Sequence, residues 1–170
     1  MSTNDFQKMI DDFGRHYNYD STYMSKLLET SPAGYEKFNN FLPLARHQDR
    51  LNNEDYWIAK TAAMQIADCG ECLQLNIRMA LECGVDKSIL KAAIEGGDAL
   101  PAELKDIYTF AQQVASNVMV EPELMARITD RYDKGDLLEF GLAIATGMVF
   151  PLMRRAAGYS KSCRLMEIEV

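Results

Sequence analysis

Two cysteines in CxxC spacing, Cys69 and Cys72, are the residues of this chain best suited to chemistry. A thiolate is a nucleophile, and two cysteines one helical turn apart can be oxidised to a disulfide and reduced again. They follow a predicted helix from about Glu54 to Ala67 and begin a second helix that reaches Cys83. The pair therefore predicts thiol–disulfide chemistry at the start of a helix.

Two acidic residues determine the environment expected around these sulfurs. Asp68 is placed to be the N-cap of the second helix, and Glu71 is placed to complete a capping box with it. Cys69 would then be N1 and Cys72 would be N4. Unpaired amides and the helix dipole favour thiolate over thiol in a first turn, whereas a nearby carboxylate raises a thiol pKa. The sequence leaves open which effect is larger.

Two other interpretations of the pair remain open at this point. Free cysteine is among the most buried residue types, so both side chains could be small apolar core residues. A zinc site would need two more ligands, but the other cysteines are isolated, and neither His16 nor His47 has a second histidine in ligand spacing. We therefore predict no bound metal, and because the chain lacks a Gly-rich phosphate loop we predict no nucleotide cofactor.

Composition places the chain among ordinary globular proteins and argues against several partners. Its 170 residues predict one domain, and 48% hydrophobic with 25% charged residues is typical of a folded protein. A net charge of -7 argues against a nucleic-acid or anionic-membrane partner. The longest uncharged run, Phe140 to Met153, is too short for a bilayer, and a signal-peptide pattern is absent. A reducing cytoplasm is therefore expected, where CxxC is more often catalytic or metal-binding than structural.

Residues 1–50 are predicted to form a helical arm rich in aromatic side chains. Apolar residues from Phe6 to Phe13 recur at the spacing of one buried helical face, and Ser31 followed by proline marks another helix start. Such stripes favour a core or a contact between subunits over a ligand pocket. His47 at the end of the arm could carry protons to the cysteines, although its charged neighbours are typical of a solvated face.

One face of the second helix carries further candidates. Asn76 follows Cys72 by one turn and could donate a hydrogen bond to its sulfur, but an amide cannot transfer a proton as imidazole does. Cys83 points the same way but lies about 16 Å further along the helix, so it is not a partner of the pair and is predicted to be a core residue.

The remaining chain predicts further helices and no strands. A capping box at Asp136 and Glu139 is expected to begin a last helix that is apolar nearly all round and therefore buried on most sides. Cys163 follows it in a polar tail and is unrelated to the pair. Because period-two alternation is absent over any useful length, the predicted fold class is all-α.

Two segments, ADCGECLQLNIRMALECGV and LLEFGLAIATGMVFPLMRRAAGYSKSC, together resemble the carboxymuconolactone decarboxylase and alkylhydroperoxidase-like (AhpD-like) family. The resemblance covers about Glu54 to Cys163. It implies an AhpD-like helical core over residues 51–163, with the arm of residues 1–50 before it and a tail of residues 164–170 after it. It also implies a homo-oligomer that packs the apolar helices of several subunits together.

In the peroxidase branch of that family a CxxC pair reduces hydroperoxides and is re-reduced by a thiol reductant or redox partner protein. The branch motif has a glutamate twelve residues before the first cysteine and a histidine four residues after the second. Trp57 and Asn76 occupy those positions here, so only Cys69 and Cys72 carry over. Glu54, one helical turn before Trp57, could replace the missing glutamate.

Two alternatives to a peroxidase remain. The chain could be a non-catalytic helical oligomer that binds a small ligand or a protein partner, with the cysteines in its core. It could instead perform lactone chemistry of the decarboxylase kind, which would need a buried His or Arg at a pocket; His47, Arg50 and Arg78 are the nearest candidates.

Overall fold

The computed structural model describes residues 2–162 and 167–170. Within these residues the fold is all-helical, as predicted, with nine α-helices and no strand. They are α1 (Thr3–Tyr17), α2 (Thr22–Thr30), α3 (Pro32–Ala45), α4 (Asn53–Ile66), α5 (Gly70–Glu82), α6 (Lys87–Ile94), α7 (Ala102–Ala115), α8 (Pro122–Arg131) and α9 (Lys134–Ala156). Cys163, predicted to be unrelated to the cysteine pair, lies outside the described residues.

Local capping chemistry determines where several helices begin. The Ser31 hydroxyl accepts the Gly34 amide at 3.3 Å, and a proline occupies the first helical position of α3, as predicted. The predicted start of α9 is wrong, because the capping box is formed by Asp133 and Asp136 and the helix begins three residues earlier. Glu139 does not cap; its carboxylate accepts backbone amides of residues 49–51 at 3.0–3.3 Å.

Helix α4 is the centre of the larger apolar core. It packs against α5, α6, α7 and α9, and every residue from Asp55 to Met64 is buried. A helix buried on all sides is ordinarily apolar throughout. Three polar side chains interrupt this one: Asp55, Lys60 and Thr61. Asp55 is held by the Tyr132 hydroxyl at 2.8 Å, whereas Lys60 faces the space between this core and the arm.

The arm helices α1–α3 enclose an apolar cluster of their own. Its buried members are Phe6, Ile10, Tyr19, Tyr23, Met24, Leu28, Tyr35 and Phe38. The arm packs on α9, where the ring of Phe150 lies 6.0 Å from the rings of both Phe38 and Phe41. The aromatic stripes therefore form a core between the arm helices; their predicted contact with another subunit stays a prediction.

Helix α9 is less buried than its composition predicts. It packs against α3, α4 and α7, yet Leu138, Leu142 and Leu152 are exposed by 73%, 38% and 55%. Their spacing places them on one side of the helix, so α9 has one buried face and one apolar exposed face. The uncharged run within α9 is shorter than a bilayer span, but the whole helix of 23 residues is long and apolar enough to cross a membrane by length and composition alone.

Candidate functional site

The two cysteines lie together at the beginning of α5. Cys69 is the N-cap residue and Cys72 is the third residue of the helix. Their sulfurs are joined as a disulfide, with the Cα atoms 5.3 Å apart. Both residues are buried, with exposed fractions of 0% and 1%. Access to the pair therefore depends on what surrounds each sulfur.

Asp68 is not the N-cap of α5, contrary to the prediction. Its φ of 49° lies in the left-handed region, which aspartate tolerates better than most residues, and this turn separates α4 from α5. The Asp68 carboxylate accepts the Ser162 hydroxyl at 2.9 Å. Cys69 consequently takes the N-cap position, so Cys72 is N3 rather than N4, and Glu71 does not complete a capping box.

The C-terminal segment covers one side of residues 68–72, which are called the cysteine turn below. The amide of Gly70 donates to the Lys161 carbonyl at 2.8 Å, and the Lys161 amide donates to the Glu71 carboxylate at 3.2 Å. Further along α5, the side chain of Gln74 exchanges two hydrogen bonds with the backbone of Glu169, at 2.8 and 2.9 Å. Helix N-termini are often exposed to solvent. These contacts explain why Cys69 and Cys72 are buried although they lie at one.

A buried arginine, which the sequence patterns do not identify, supports the same turn. Arg154 is fully buried and its guanidinium donates to the carbonyls of Asp20 and Tyr159. It also lies 3.6 Å from Glu71 Oε1, and the other oxygen of that carboxylate lies 4.0 Å from the Cys69 sulfur. Glu71 is thus the carboxylate nearest to Cys69 in these contacts, and Arg154 fixes its position.

No local signal distinguishes Arg154 from its neighbour Arg155. Both end α9, but one helical step of about 100° separates their directions. Arg155 is exposed and donates to the carbonyls of Ala67 and Asp68 at the end of α4. Only the packing of the arm beneath α9 decides which of the two is buried.

A cavity of about 500 Å³ lies between the arm and the core. Its size is within the range of about 300–1,000 Å³ that is typical of small-molecule pockets. Cys72, Trp57 and Lys60 are on its core wall. The arm wall is mostly apolar and includes Met9, Ile10, Phe13, Tyr23, Tyr35 and Leu42. The cavity therefore adjoins one cysteine of the pair.

Lys60 is the second residue of the site that sequence reasoning missed. Its ammonium donates to the Ala45 carbonyl at 2.7 Å and to the Tyr56 hydroxyl at 3.2 Å. Burial, and to a smaller extent the nearby charge of Arg46, together lower the pKa of Lys60 to about 8. The sequence does contain a signal that could have identified it: a lysine in the middle of a helix that otherwise has the pattern of a core helix.

Trp57 and Asn76, which occupy the glutamate and histidine positions of the peroxidase motif, both line the cavity. The Asn76 amide donates to the Thr61 hydroxyl at 2.9 Å, so it is used in the contact between α5 and α4, not at the Cys72 sulfur. Trp57 is 4% exposed, and its indole Nε1 has no hydrogen-bond partner among the described residues.

The structure does not bring Glu54, His47 or Cys83 to the cysteine pair. Asn53 donates to the Cys83 carbonyl at 2.7 Å, so the beginning of α4, including the exposed Glu54, lies beside the far end of α5. That end is about 16 Å from Cys72 along the helix. Cys83 is exposed, not a core residue. His47 is exposed beyond α3 and is not a cavity residue.

The arginines considered for lactone chemistry are also elsewhere. Arg50 pairs with Asp133 at 2.6 Å and Asp136 at 2.8 Å, and Arg78 donates to the Tyr17 carbonyl. Neither lines the cavity. Among residues 2–162 and 167–170, no group of three or more His, Cys, Asp or Glu is placed to hold a metal ion.

Comparisons of the chain with protein-family models, with curated proteins and with solved structures find no match. The resemblance to the AhpD-like family therefore rests on the two sequence segments alone.

Proposed function

We propose that the chain is a thiol–disulfide oxidoreductase that reduces organic hydroperoxides with Cys69 and Cys72. The observation that carries the proposal is the position of Cys72, which bonds to the Cys69 sulfur and also lines the cavity. A substrate in the cavity would meet Cys72 first, while Cys69 lies behind it. Cys72 is therefore the attacking residue of the proposal and Cys69 the resolving residue.

The reaction begins with the reduced pair. The Cys72 thiolate attacks the terminal oxygen of the hydroperoxide, which breaks the O–O bond, leaves a sulfenic acid on Cys72 and releases an alcohol after protonation. The Cys69 thiol then attacks the Cys72 sulfur, forms the disulfide and releases water. A thiol reductant or redox partner protein returns two electrons and two protons to the pair. A reducing cytoplasm would supply such thiols.

Two features of the site support this chemistry in place of the family's relay. Both cysteines are at the N-terminus of α5, where the helix dipole favours thiolate. The Glu71 carboxylate, 4.0 Å from the Cys69 sulfur, is positioned to accept the proton of the resolving thiol. Trp57 and Asn76 cannot transfer protons, so we expect slower turnover than a complete relay would give.

The lining of the cavity favours an organic substrate over hydrogen peroxide. Its aromatic and aliphatic walls would bury an alkyl or aryl group, and burial of apolar surface contributes about 25 cal/mol per Å². We therefore expect cumene hydroperoxide to oxidise the reduced pair faster than hydrogen peroxide does.

Stopped-flow oxidation of the reduced protein tests the proposal. Trp57 is the single tryptophan of the chain and lines the cavity with Cys72, so its emission should report the reaction. We expect Cys72→Ser to abolish rapid oxidation, Cys69→Ser to leave a sulfenic acid that dimedone traps, and the exposed control Cys83→Ser to react like the parent. A rate no faster than that of free cysteine at the same pH would reject a peroxidase.

We also propose that the chain forms a homo-oligomer through the exposed face of α9. Leu138, Leu142 and Leu152 follow one apolar stripe at the spacing with which two helices pair. The same face of a second copy would cover it. Light scattering after gel filtration should show a mass above 19.2 kDa, and Leu142→Glu with Leu152→Glu should return the monomer.

A second candidate, a non-catalytic binding protein, is favoured by the low exposure of both cysteines, 0% for Cys69 and 1% for Cys72, beside an apolar cavity. The double variant Cys69→Ser, Cys72→Ser distinguishes the two. Retained ligand binding and an unchanged cellular phenotype would support a binding role, whereas loss of resistance to organic hydroperoxide would support the oxidoreductase.

A further inference from the structure

The cavity holds a buried cation that the cysteine chemistry does not use. Lys60 is 5% exposed, and its ammonium lies 5.0 Å from the centre of the Tyr56 ring and 5.5 Å from that of Trp57. Its two hydrogen-bond acceptors, the Ala45 carbonyl and the Tyr56 hydroxyl, are both neutral. An ammonium has three donors, and no carboxylate in the described chain forms an ion pair with this one.

Trp57 adds an unpaired donor to the same wall. Its indole Nε1 is buried and has no acceptor in the described parts of the protein. Nearly all buried polar groups in native proteins have a partner, so an exception on the wall of a cavity points to a ligand atom as the missing acceptor. Lys60 and Trp57 are one turn apart on α4, and the Lys60 ammonium lies 5.5 Å from the centre of the Trp57 ring, so the two donors are close together.

The other charged residues of the cavity leave this wall positive. Arg46 lines the cavity with its guanidinium 5.7 Å from the centre of the Phe13 ring, and it forms no ion pair within residues 2–162 and 167–170. Among the described residues, Asp12 is the one acidic residue of the lining, and it is already paired with Arg15. A positive wall that faces an apolar space suits a ligand with an anionic head and an apolar body.

We propose that the cavity binds an amphipathic carboxylate. Its head group would accept hydrogen bonds from Lys60 and Trp57, and its apolar chain would lie along the aromatic wall of the arm. A carboxylate is an acceptor-only group with two oxygens, which matches two convergent donors. A neutral apolar ligand would leave the buried charge unpaired, which is unfavourable in a low-dielectric site. The inference goes beyond the proposed oxidoreductase and does not depend on cysteine chemistry.

Binding to the disulfide form of the protein tests this inference separately from any redox activity. Decanoate below its micelle concentration and decanol below its solubility limit are titrated by calorimetry, with Trp57 emission as the reporter of the site. We expect decanoate to bind at least about tenfold more tightly than decanol, because only the acid pairs with Lys60. Lys60→Met should abolish this preference and leave decanol affinity unchanged. The exposed control Lys37→Met should retain the preference.

Each opposite result overturns the proposal. Equal affinity for acid and alcohol, binding of neither, or a preference that survives Lys60→Met would exclude a carboxylate site at Lys60. Lys60→Met retains the Tyr56 hydroxyl on the Ala45 carbonyl, at 3.2 Å, and is therefore expected to fold. If it does not, Trp57→Phe measured by calorimetry decides: decanoate should bind at least about threefold more weakly with decanol unchanged, and equal weakening of both ligands would count against the proposal.

Discussion

Arg154 and Lys60 are two buried cations that lie against aromatic rings in different parts of the molecule. The Arg154 guanidinium is 5.2 and 5.4 Å from the ring centres of Tyr19 and Tyr23. The Lys60 ammonium is at 5.0 and 5.5 Å from two rings of α4. Similar rings therefore surround two cations whose other neighbours differ.

The difference between the two cations is in their acceptors. Arg154 has the carboxylates of Asp20 at 3.3 Å and Glu71 at 3.6 Å, while the acceptors of Lys60 among the described residues are neutral oxygens. Burial opposes both charges. The pKa of Arg154 is nevertheless raised because Tyr19, Glu71 and Asp20 outweigh burial, whereas the pKa of Lys60 falls to about 8.

A buried cation packed on aromatic rings therefore has two different uses in this molecule. Arg154 connects the loop after α1, the end of α9 and the cysteine turn, so its charge is neutralised inside the protein. Within the described part of the chain Lys60 has no acidic partner, so its charge is available to a molecule in the cavity. A buried cation with carboxylates is structural here, and one without them marks a candidate binding site.

Removal of Arg154 should lower the free energy of unfolding more than any other change considered. Arg154→Met leaves Glu71 and two carbonyls without their partner, and we expect unfolding to require about 3–5 kcal/mol less free energy. Arg155→Met is the matched control, since it removes an adjacent exposed arginine and should cost about 1 kcal/mol. Urea denaturation of the disulfide form measures both. Equal losses of unfolding free energy in the two variants would show that burial does not distinguish Arg154 from Arg155.

The lowered pKa of Lys60 predicts that the stability of the protein depends on pH. Because the folded pKa of about 8 is below the ordinary value of 10.5, the unfolded chain binds more protons between these values. Stability should therefore rise by about 2 kcal/mol from pH 7 to pH 10. The raised pKa of Tyr56, about 12 through burial and the charge of Glu139, opposes this above pH 10. Lys60→Met should lack the rise; a rise of the same size in that variant would refute it.

Substitution of Asp20 should change the free energy of unfolding least. Partial burial opposes ionisation, but hydrogen bonds from Thr22 and the charge of Arg154 lower the pKa of Asp20 overall. Its contribution is therefore present above the ordinary value of 3.8 and lost as pH falls through the lower folded value. With the side chain 48% exposed, Asp20→Asn should cost about 1 kcal/mol or less at neutral pH. Acid unfolding measures it beside the exposed control Asp130→Asn, which should match the parent.

The sequence predicts those features that depend on short spacing. The all-α fold follows from helical periodicity, the start of α3 follows from Ser31 and its proline, and the approach of Cys69 to Cys72 follows from one turn of helix. The sequence predicts the wrong N-cap where more than one nearby residue could cap the helix or where the candidate adopts another backbone conformation. Asp68 and Asp136 both look like N-caps, but Asp68 adopts a left-handed turn and the N-cap of α9 is Asp133.

The neighbours of each side chain could be identified only from the tertiary structure. Asn76 and Cys83 share a face with Cys72, yet one bonds to α4 and the other is exposed, because neighbouring helices cover only part of that face. Glu54 and His47 could not be placed from the sequence, since their distance from the cysteines depends on how α3 and α4 pack.

The helices and a cysteine pair able to form a disulfide can be predicted from the amino-acid sequence, because both arise from contacts within a few residues. Three features are visible only in the folded chain: Arg154 supports the cysteine turn, Cys72 adjoins a cavity, and Lys60 is buried with neutral acceptors among the described residues. These features join residues far apart in the chain, such as Asp20 and Arg154, which are 134 positions apart. Local patterns carry no information about which distant charges meet, because packing between helices sets those distances.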